Sequence, residues 1–96
     1  MPLLARFKIV GHSMEPQIRN GAQVLVSNLP YWFKKPRLND IVAFTDSSNK
    51  ILVKRIIKIT KNAYFVQGDN KGDSLDSRSF GNIIKNQIIG KVLFKL

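Results

Sequence analysis

The stretch Ile51-Leu52-Val53-Lys54-Arg55-Ile56-Ile57-Lys58-Ile59 combines branched apolar side chains with charged ones in the period of two that is typical of a half-buried β-strand. The same pattern predicts further strands at residues 4–10, 23–27, 41–44, 64–67 and 90–96. Turn-forming clusters at residues 46–49 and 61–62 lie on either side of the quoted stretch and are of the kind that joins hairpins. The sequence therefore predicts a mainly β fold of antiparallel strands, with helix confined to short pieces.

The chain has 96 residues, enough for one modest core, so we expect a single domain over residues 1–96. Its formal net charge of +10 points to an acidic partner, either nucleic acid or an anionic membrane surface. The lack of cysteine excludes disulfides and thiolate zinc sites, and one histidine with six carboxylates argues against a catalytic metal. We expect neither a metal nor another cofactor.

The longest apolar runs are only a few residues long, far short of the roughly 20 that a bilayer-spanning helix needs. The first ten residues contain Arg6 and Lys8 and lack the basic-then-apolar order of a secretory signal. We therefore expect no transmembrane segment or signal peptide in this chain, and a location that is cytoplasmic or peripheral at a membrane.

Two segments, residues 11–21 and 68–81, are rich in residues that do not continue a strand. Loops of this length are uncommon in a small domain unless they are functional. The first contains Gly-His-Ser-Met-Glu-Pro at residues 11–16. Its serine, Ser13, could be a nucleophile or could close a local side-chain turn.

Lys54 lies in the quoted strand with Leu52 and Ile56 as apolar neighbours on the same face. Such neighbours would exclude water from the ammonium group and lower the pKa of Lys54, so that the neutral amine could accept a proton. The alternative is a lysine that extends its ammonium group to solvent along an apolar surface. The residues alone leave both interpretations open.

Three segments taken together resemble the ordered motif set of type I signal peptidases: residues 11–16, Val-Lys-Arg-Ile at 53–56, and Gly-Asp-Asn-Lys-Gly-Asp-Ser-Leu-Asp-Ser-Arg-Ser-Phe-Gly at 68–81. The resemblance runs from about residue 9 to residue 92. It implies a coiled sheet or partial barrel, and a serine endopeptidase that removes an N-terminal signal or leader peptide. It also implies a Ser-Lys dyad, with Ser13 as nucleophile and Lys54 as general base.

The resemblance implies roles for the third segment as well. Ser74 matches the serine that orients the lysine amine, while Asp76 and Arg78 match a supporting ion pair. Asp69 and Asn70 are interpreted as turn formers that hold this loop beneath the site. His12, the residue next to Ser13, is a rival base, since related peptidases pair their serine with a histidine. We interpret it as a loop residue because the base position of the motif set is occupied by Lys54.

The substrate residues implied by the resemblance are Ile9, Gly11, Met14, Ile18 and Val53, and the peptide is expected to pair as an added strand beside residues 6–10 and 51–54. The pocket before the cut should accept small side chains. The alternative for the apolar members of this set is an ordinary core. Strict alternation places Val53 on the strand face opposite Lys54, so a bend or an edge position is required for both to reach one pocket.

This sequence departs from the motif set in several places. Gly11 replaces the serine of some members, Ala22 replaces an acidic residue and Asn39 replaces a glycine. Many members carry a membrane anchor and insert a second β-domain after the lysine, whereas here only residues 55–67 separate Lys54 from the third segment. This compactness resembles the small proteases proposed to trim the leader of nickel-type superoxide dismutase.

Residues 29–37 read Leu-Pro-Tyr-Trp-Phe-Lys-Lys-Pro-Arg and place three aromatic residues beside three cations. Such a loop could contact an anionic membrane, because aromatic side chains favour the headgroup region and each nearby cation adds about 1 kcal/mol. Alternatively, the aromatic residues could cap the open end of the β core.

Two other functions are compatible with parts of the sequence. A self-cleaving repressor-type peptidase shares the Ser-Lys chemistry, but this chain has no room for the DNA-binding motif and cleavage segment. An inactive, basic nucleic-acid-binding module would explain the charge. However, the cations are dispersed and no recognition helix or stacking motif is evident, so a precursor protein or leader peptide is the expected partner and nucleic acid is not.

Overall fold

A computed structural model describes residues 4–70 and 82–96, which contain six strands and two short helical turns. The strands are β1 Leu4–Lys8, β2 Gln23–Ser27, β3 Ile41–Thr45, β4 Ile51–Thr60, β5 Ala63–Gln67 and β6 Ile88–Lys95. The helical turns are α1 Pro30–Phe33 and a 3-10 turn Lys85–Gln87. The predicted mainly β fold is confirmed, and each predicted strand has its counterpart in the structure.

All six strands form one antiparallel sheet with the order β1-β2-β6-β3-β4-β5. The sheet does not close into a barrel, since β1 and β5 are its outer strands. In the described part of the chain, no helix is long and apolar enough to cross a bilayer.

The hairpin between β3 and β4 forms because Asp46 caps its own turn. The Asp46 carboxylate accepts hydrogen bonds from the backbone N–H groups of Ser48 at 2.8 Å and Lys50 at 2.9 Å. Asn49 adopts the left-handed conformation, with φ of 63°, which asparagine tolerates better than most residues. This local chemistry sets the register in which Ile51 opposes Thr45 and Lys54 opposes Val42.

Apolar residues form a cluster on each face of the sheet. The first cluster contains Ile9, Met14, Ile18, Val24, Val26 and Ala43. The second contains Val42, Phe44, Ile56, Tyr64, Val66 and Ile83. Successive residues of β3 and β4 contribute to opposite clusters because neighbouring side chains in a strand point to opposite faces.

The first half of β4 has an open edge. Residues 51–55 pair with β3 on one side, whereas pairing with β5 begins only where Arg55 opposes Gln67. Within residues 4–70 and 82–96, no strand pairs with the second edge of residues 51–54 or with the outer edge of β1. A strand edge that no other strand pairs with can present backbone donors and acceptors to another extended chain.

Candidate active site

The loop between β1 and β2 holds Ser13 through backbone closure and burial of its neighbours. The N–H of Ile9 donates to the carbonyl of Ala22 at 2.8 Å, and the N–H of Gly21 donates to the carbonyl of Ile9 at 2.7 Å. Met14 is only 1% exposed and anchors the loop in the first cluster. Ser13 itself is half-buried, because it directly precedes this anchor.

Glycine is needed at the start of this loop. Gly11 has a φ of 104°, a region in which side chains are strained. Its N–H donates to the Asn20 side-chain oxygen at 2.9 Å. A serine at position 11 would therefore be disfavoured by the backbone, which gives a physical reason for the departure from the motif set.

Among the described residues, Lys54 is the only charged one that is buried, with 4% of its surface exposed. It opposes Val42 in the register of β3 and β4, so the two side chains share a face of the sheet. Leu52 and Ile56, two residues away on either side, pack in the same second cluster. The aliphatic surroundings expected from the sequence are therefore present around this lysine.

Ser13 and Lys54 line the same groove, which has a volume of about 210 Å³. Its walls are the end of β1 with the following residues and the open edge of β4: Phe7, Lys8, Ile9, Val10, Met14, Ile51, Leu52 and Val53. Because the groove follows an edge, residues from both faces of β4 border it. The edge position that Val53 requires in order to share a pocket with Lys54 is therefore found.

The predicted substrate residues do not all lie in this groove. Ile9, Met14 and Val53 line it. Ile18 is not among the lining residues and packs in the first cluster with 2% of its surface exposed, as an ordinary core residue would. Gly11 is not a lining residue either, and it shapes the turn before Ser13.

Hydrogen bonds link the start of the third segment, Asp69 and Asn70, to the loop that holds Ser13 and to the strand that carries Lys54. The backbone N–H of Asn70 donates to the Ser13 carbonyl at 2.8 Å, and its side-chain amide donates to the His12 carbonyl at 3.1 Å. The Asp69 carboxylate receives two hydrogen bonds from Arg55, from Nε at 2.8 Å and from Nη2 at 2.9 Å. These hydrogen bonds from Arg55 to Asp69 raise the pKa of Arg55.

Sequence reasoning did not identify Arg55 as part of the site. The only indication in the sequence is that Arg55 directly follows Lys54 in a strand. The side chains of these two residues must therefore point to opposite faces of the sheet. The Arg55 guanidinium also donates to the carbonyl of Asn39 at 2.9 Å, where the backbone adopts a φ of 72°. Arg55 thus fixes two loops to the strand that carries Lys54.

His12 is engaged away from the groove lining. Its Nδ1 lies 2.9 Å from a carboxylate oxygen of Glu15, and 56% of its side chain is exposed. The hydrogen bond from His12 lowers the pKa of Glu15, and a further hydrogen bond from the Asn20 N–H acts in the same direction. This geometry fits the interpretation of His12 as a loop residue.

Ser74, Asp76 and Arg78 lie outside the described residues, so their roles stay predictions. Over residues 4–70 and 82–96, no group of His, Asp and Glu side chains could hold a metal ion.

The aromatic segment divides into a packed residue and two exposed ones. Tyr31 packs against the second cluster and donates its hydroxyl to Asp40 at 2.7 Å. Trp32 is 50% exposed and Phe33 is 79% exposed. Tyr31 therefore covers part of the core, whereas Trp32 and Phe33 remain exposed to solvent.

The amino-acid sequence is similar to those of known signal peptidases. The family model described as signal peptidase, peptidase S26, matches residues 1–59 and 58–96. The chain is 26% identical to signal peptidase I V of Bacillus subtilis, over 90% of this chain and 82% of that protein. It is 24% identical to signal peptidase IB of Staphylococcus aureus, over 97% of this chain and 78% of that protein.

A further similarity is to thylakoidal processing peptidase 1 of Arabidopsis thaliana, with 24% identity over 86% of this chain and 39% of that protein. The alignment with the Bacillus protein covers 137 residues, more than the 96 of this chain, so the relative contains residues without a counterpart here. The two family-model segments overlap at residues 58–59, near the end of β4 and after Lys54.

Proposed function

This chain belongs to the signal peptidase, peptidase S26, family, and on that premise we propose a serine endopeptidase with a Ser-Lys dyad that removes an N-terminal signal or leader peptide from a precursor protein. Ser13 is the nucleophile and Lys54 is the general base. The observation that carries this proposal is the groove that both residues line, with Ser13 half-buried and Lys54 in an aliphatic wall.

The proposed reaction needs only these two side chains and water. Neutral Lys54 accepts the hydroxyl proton as the Ser13 oxygen attacks the scissile carbonyl, and a tetrahedral oxyanion forms. The Ser13 backbone N–H is the expected donor to that oxyanion, while Gly11 has no side chain that could add a second donor. The C–N bond then breaks, Lys54 returns the proton to the leaving amine, and a water activated in the same way hydrolyses the ester.

Burial supports the role of Lys54 as a base. Lys54 is buried, and Val42, Leu52 and Ile56 are its apolar neighbours in the sheet. Burial of an amine disfavours its charged form, which is the form that cannot accept a proton. We propose that Ser74 orients this amine, and that Asp76 and Arg78 brace the loop, as the motif set implies.

The groove also indicates how a substrate would bind. A peptide in extended conformation could pair its backbone with the open edges of β1 and of residues 51–54, which bound the groove from two sides. The side chain before the cut would then meet Ile9, Met14 and Val53. These apolar walls suit a small side chain such as alanine.

We further propose that the protein works at an anionic membrane surface. Trp32 and Phe33 are exposed at the end of α1, and three cations follow them in residues 34–37. Aromatic side chains at this position would enter the headgroup region while the cations remain near lipid phosphates.

The dyad is tested by cleavage of a short leader peptide. Ser13→Ala removes the nucleophile, and Lys54→Met keeps the length and burial of the side chain while removing the base. Each variant should lower kcat/KM by at least about a thousandfold, because residues that act as a unit fail together. His12→Ala is the matched control and should cost much less. Retained turnover in either dyad variant, with the fold intact, would exclude the assignment.

A further inference from the structure

A second pocket lies beside α1 on a different part of the surface from the groove. It has a volume of about 280 Å³ and contains four cations and one carboxylate in its lining. The lining residues are Pro30, Tyr31, Phe33, Lys34, Lys35, Arg37, Asp40 and Lys91. The proposed peptidase chemistry uses none of these residues.

The single carboxylate of this pocket is already engaged. Asp40 accepts hydrogen bonds from the Tyr31 hydroxyl at 2.7 Å and from the backbone N–H of Arg37 at 3.1 Å, and Lys91 Nζ lies 3.5 Å from its other oxygen. Among residues 4–70 and 82–96, no acidic side chain pairs with Lys34, Lys35 or the guanidinium of Arg37. The pocket therefore has an excess of positive charge.

More cations surround the pocket than line it. Lys35 also borders a neighbouring cavity that contains Lys61 and Lys85, and no carboxylate lines that cavity. Several cations thus converge around α1, although charge along the sequence is dispersed. Cations held near one another raise the local positive potential and favour an anionic ligand.

The pocket opens beside apolar side chains that face solvent. Phe33 forms part of its wall and is 79% exposed, and Trp32 next to it is 50% exposed. Leu29 and Leu38, which flank this segment, are also exposed, at 44% and 55%. Lipid phosphates lie just outside the depth at which interfacial aromatic side chains settle, so the two features match one surface.

We propose that this pocket binds the phosphate of an anionic phospholipid headgroup, with Lys35 and Arg37 as the main ligands, while Trp32 and Phe33 enter the interface. The inference rests on the membrane association proposed above. In place of a non-specific attraction between the cations and the membrane, it assigns one binding site for a lipid headgroup. Non-specific attraction requires only that cations lie within about a Debye length of the membrane, whereas a site requires cations that converge on one phosphate.

The test compares two variants of equal net charge. Lys35→Gln with Arg37→Gln removes two pocket cations, and Arg19→Gln with Lys50→Gln removes two exposed cations that do not line the pocket. Binding to phosphatidylcholine vesicles that contain phosphatidylglycerol is measured by co-sedimentation at physiological salt. The pocket variant should lose about tenfold in affinity and the control less than about twofold. Equal losses would overturn the proposal.

Two further measurements separate the possible ligands. Calorimetric binding of soluble glycerol phosphate as tight as vesicle binding would identify a free phosphate ligand and overturn the lipid assignment. Tighter binding to a DNA duplex than to vesicles, lost in the pocket variant, would favour nucleic acid instead. Cleavage of a soluble leader peptide by the unaltered protein tests the peptidase proposal alone, so failure of that assay and failure of the headgroup site are distinguishable.

Discussion

The backbone N–H of Asn70 donates to the carbonyl oxygen of Ser13 at 2.8 Å, which joins two loops that are far apart in the sequence. The preceding residue, Asp69, is held by two hydrogen bonds from Arg55, the residue after Lys54. A continuous path of hydrogen bonds and covalent bonds therefore connects the two members of the proposed dyad. Its effect is to fix the position of Ser13 relative to β4.

Asn70→Ala should test this positioning. It removes the side-chain bond to the His12 carbonyl and leaves the backbone bond to Ser13 without its flanking support. A displacement of the nucleophile by about 1 Å can cost about a hundredfold in rate, so we expect kcat to fall about tenfold or more with little change in KM. Asn86→Ala, at an exposed position, is the control. An unchanged kcat would show that Asn70 only shapes its own turn.

The pH dependence of cleavage should reflect the base. Since Lys54 must be neutral to accept the Ser13 proton, the rate should rise with pH on the acidic side of its profile. That limb should persist in His12→Ala, because His12 is paired with Glu15 and lies outside the groove lining. A limb that titrates near about 6.5 and disappears in His12→Ala would assign the base role to His12.

Replacement of Trp32 and Phe33 by serine should weaken binding to anionic vesicles in a particular way. Burial of aromatic surface does not depend on salt, whereas attraction between cations and lipid is screened over roughly 8 Å at physiological ionic strength. The double variant should lose the part of binding that survives high salt. Leu93→Ser with Phe94→Ser, exposed apolar residues on β6, is the control. Lack of co-sedimentation by the unaltered protein would exclude membrane contact.

Tyr31→Phe should lower the free energy of unfolding and change how this free energy depends on pH in the alkaline range. Burial raises the pKa of Tyr31 above its usual value, and the hydrogen bond to Asp40 and the negative charge there act in the same direction. Because the folded-state pKa exceeds the unfolded value of about 10, the stabilisation is complete below that pH and declines as the pH rises above it.

The free energy of unfolding of Tyr31→Phe, measured by denaturant titration, should be lower by about 1 kcal/mol at neutral pH, since the hydroxyl is only partly buried. Above pH ~10 the difference from the unaltered protein should shrink. A difference that stays constant through this range would show that Tyr31 ionises as an exposed tyrosine does.

Local sequence pattern was sufficient to predict the strands and their turns. The alternation of apolar and polar residues predicted both ends of β4 to within one residue. The turn cluster that starts at Asp46 predicted the hairpin between β3 and β4. β6 begins earlier than predicted because Ile88 pairs with Phe44 beyond an irregularity in the register. Residues 88–89 are two adjacent isoleucines, which do not alternate with polar residues and so did not indicate that pairing.

The dyad candidates were also accessible from sequence, because Ser13 and Lys54 occur in motifs whose order resembles a known family. The specialised resemblance to nickel-type superoxide dismutase proteases stays a prediction. By contrast, the contact between Arg55 and Asp69, the division between Tyr31 and its exposed neighbours, and the convergence of cations around α1 were not predictable from spacing.

The sequence by itself determined the approximate positions of the strands, the loop at residues 11–21 and the face of β4 to which each side chain points, because these depend on interactions between near neighbours in the chain. Only the tertiary structure decided that residues 51–54 keep an open edge and that Val53 and Lys54 border one groove. The alternation of a strand specifies its faces but carries no information about which strand lies beside it. That choice follows from packing of the whole sheet, in which β6 separates β2 from β3.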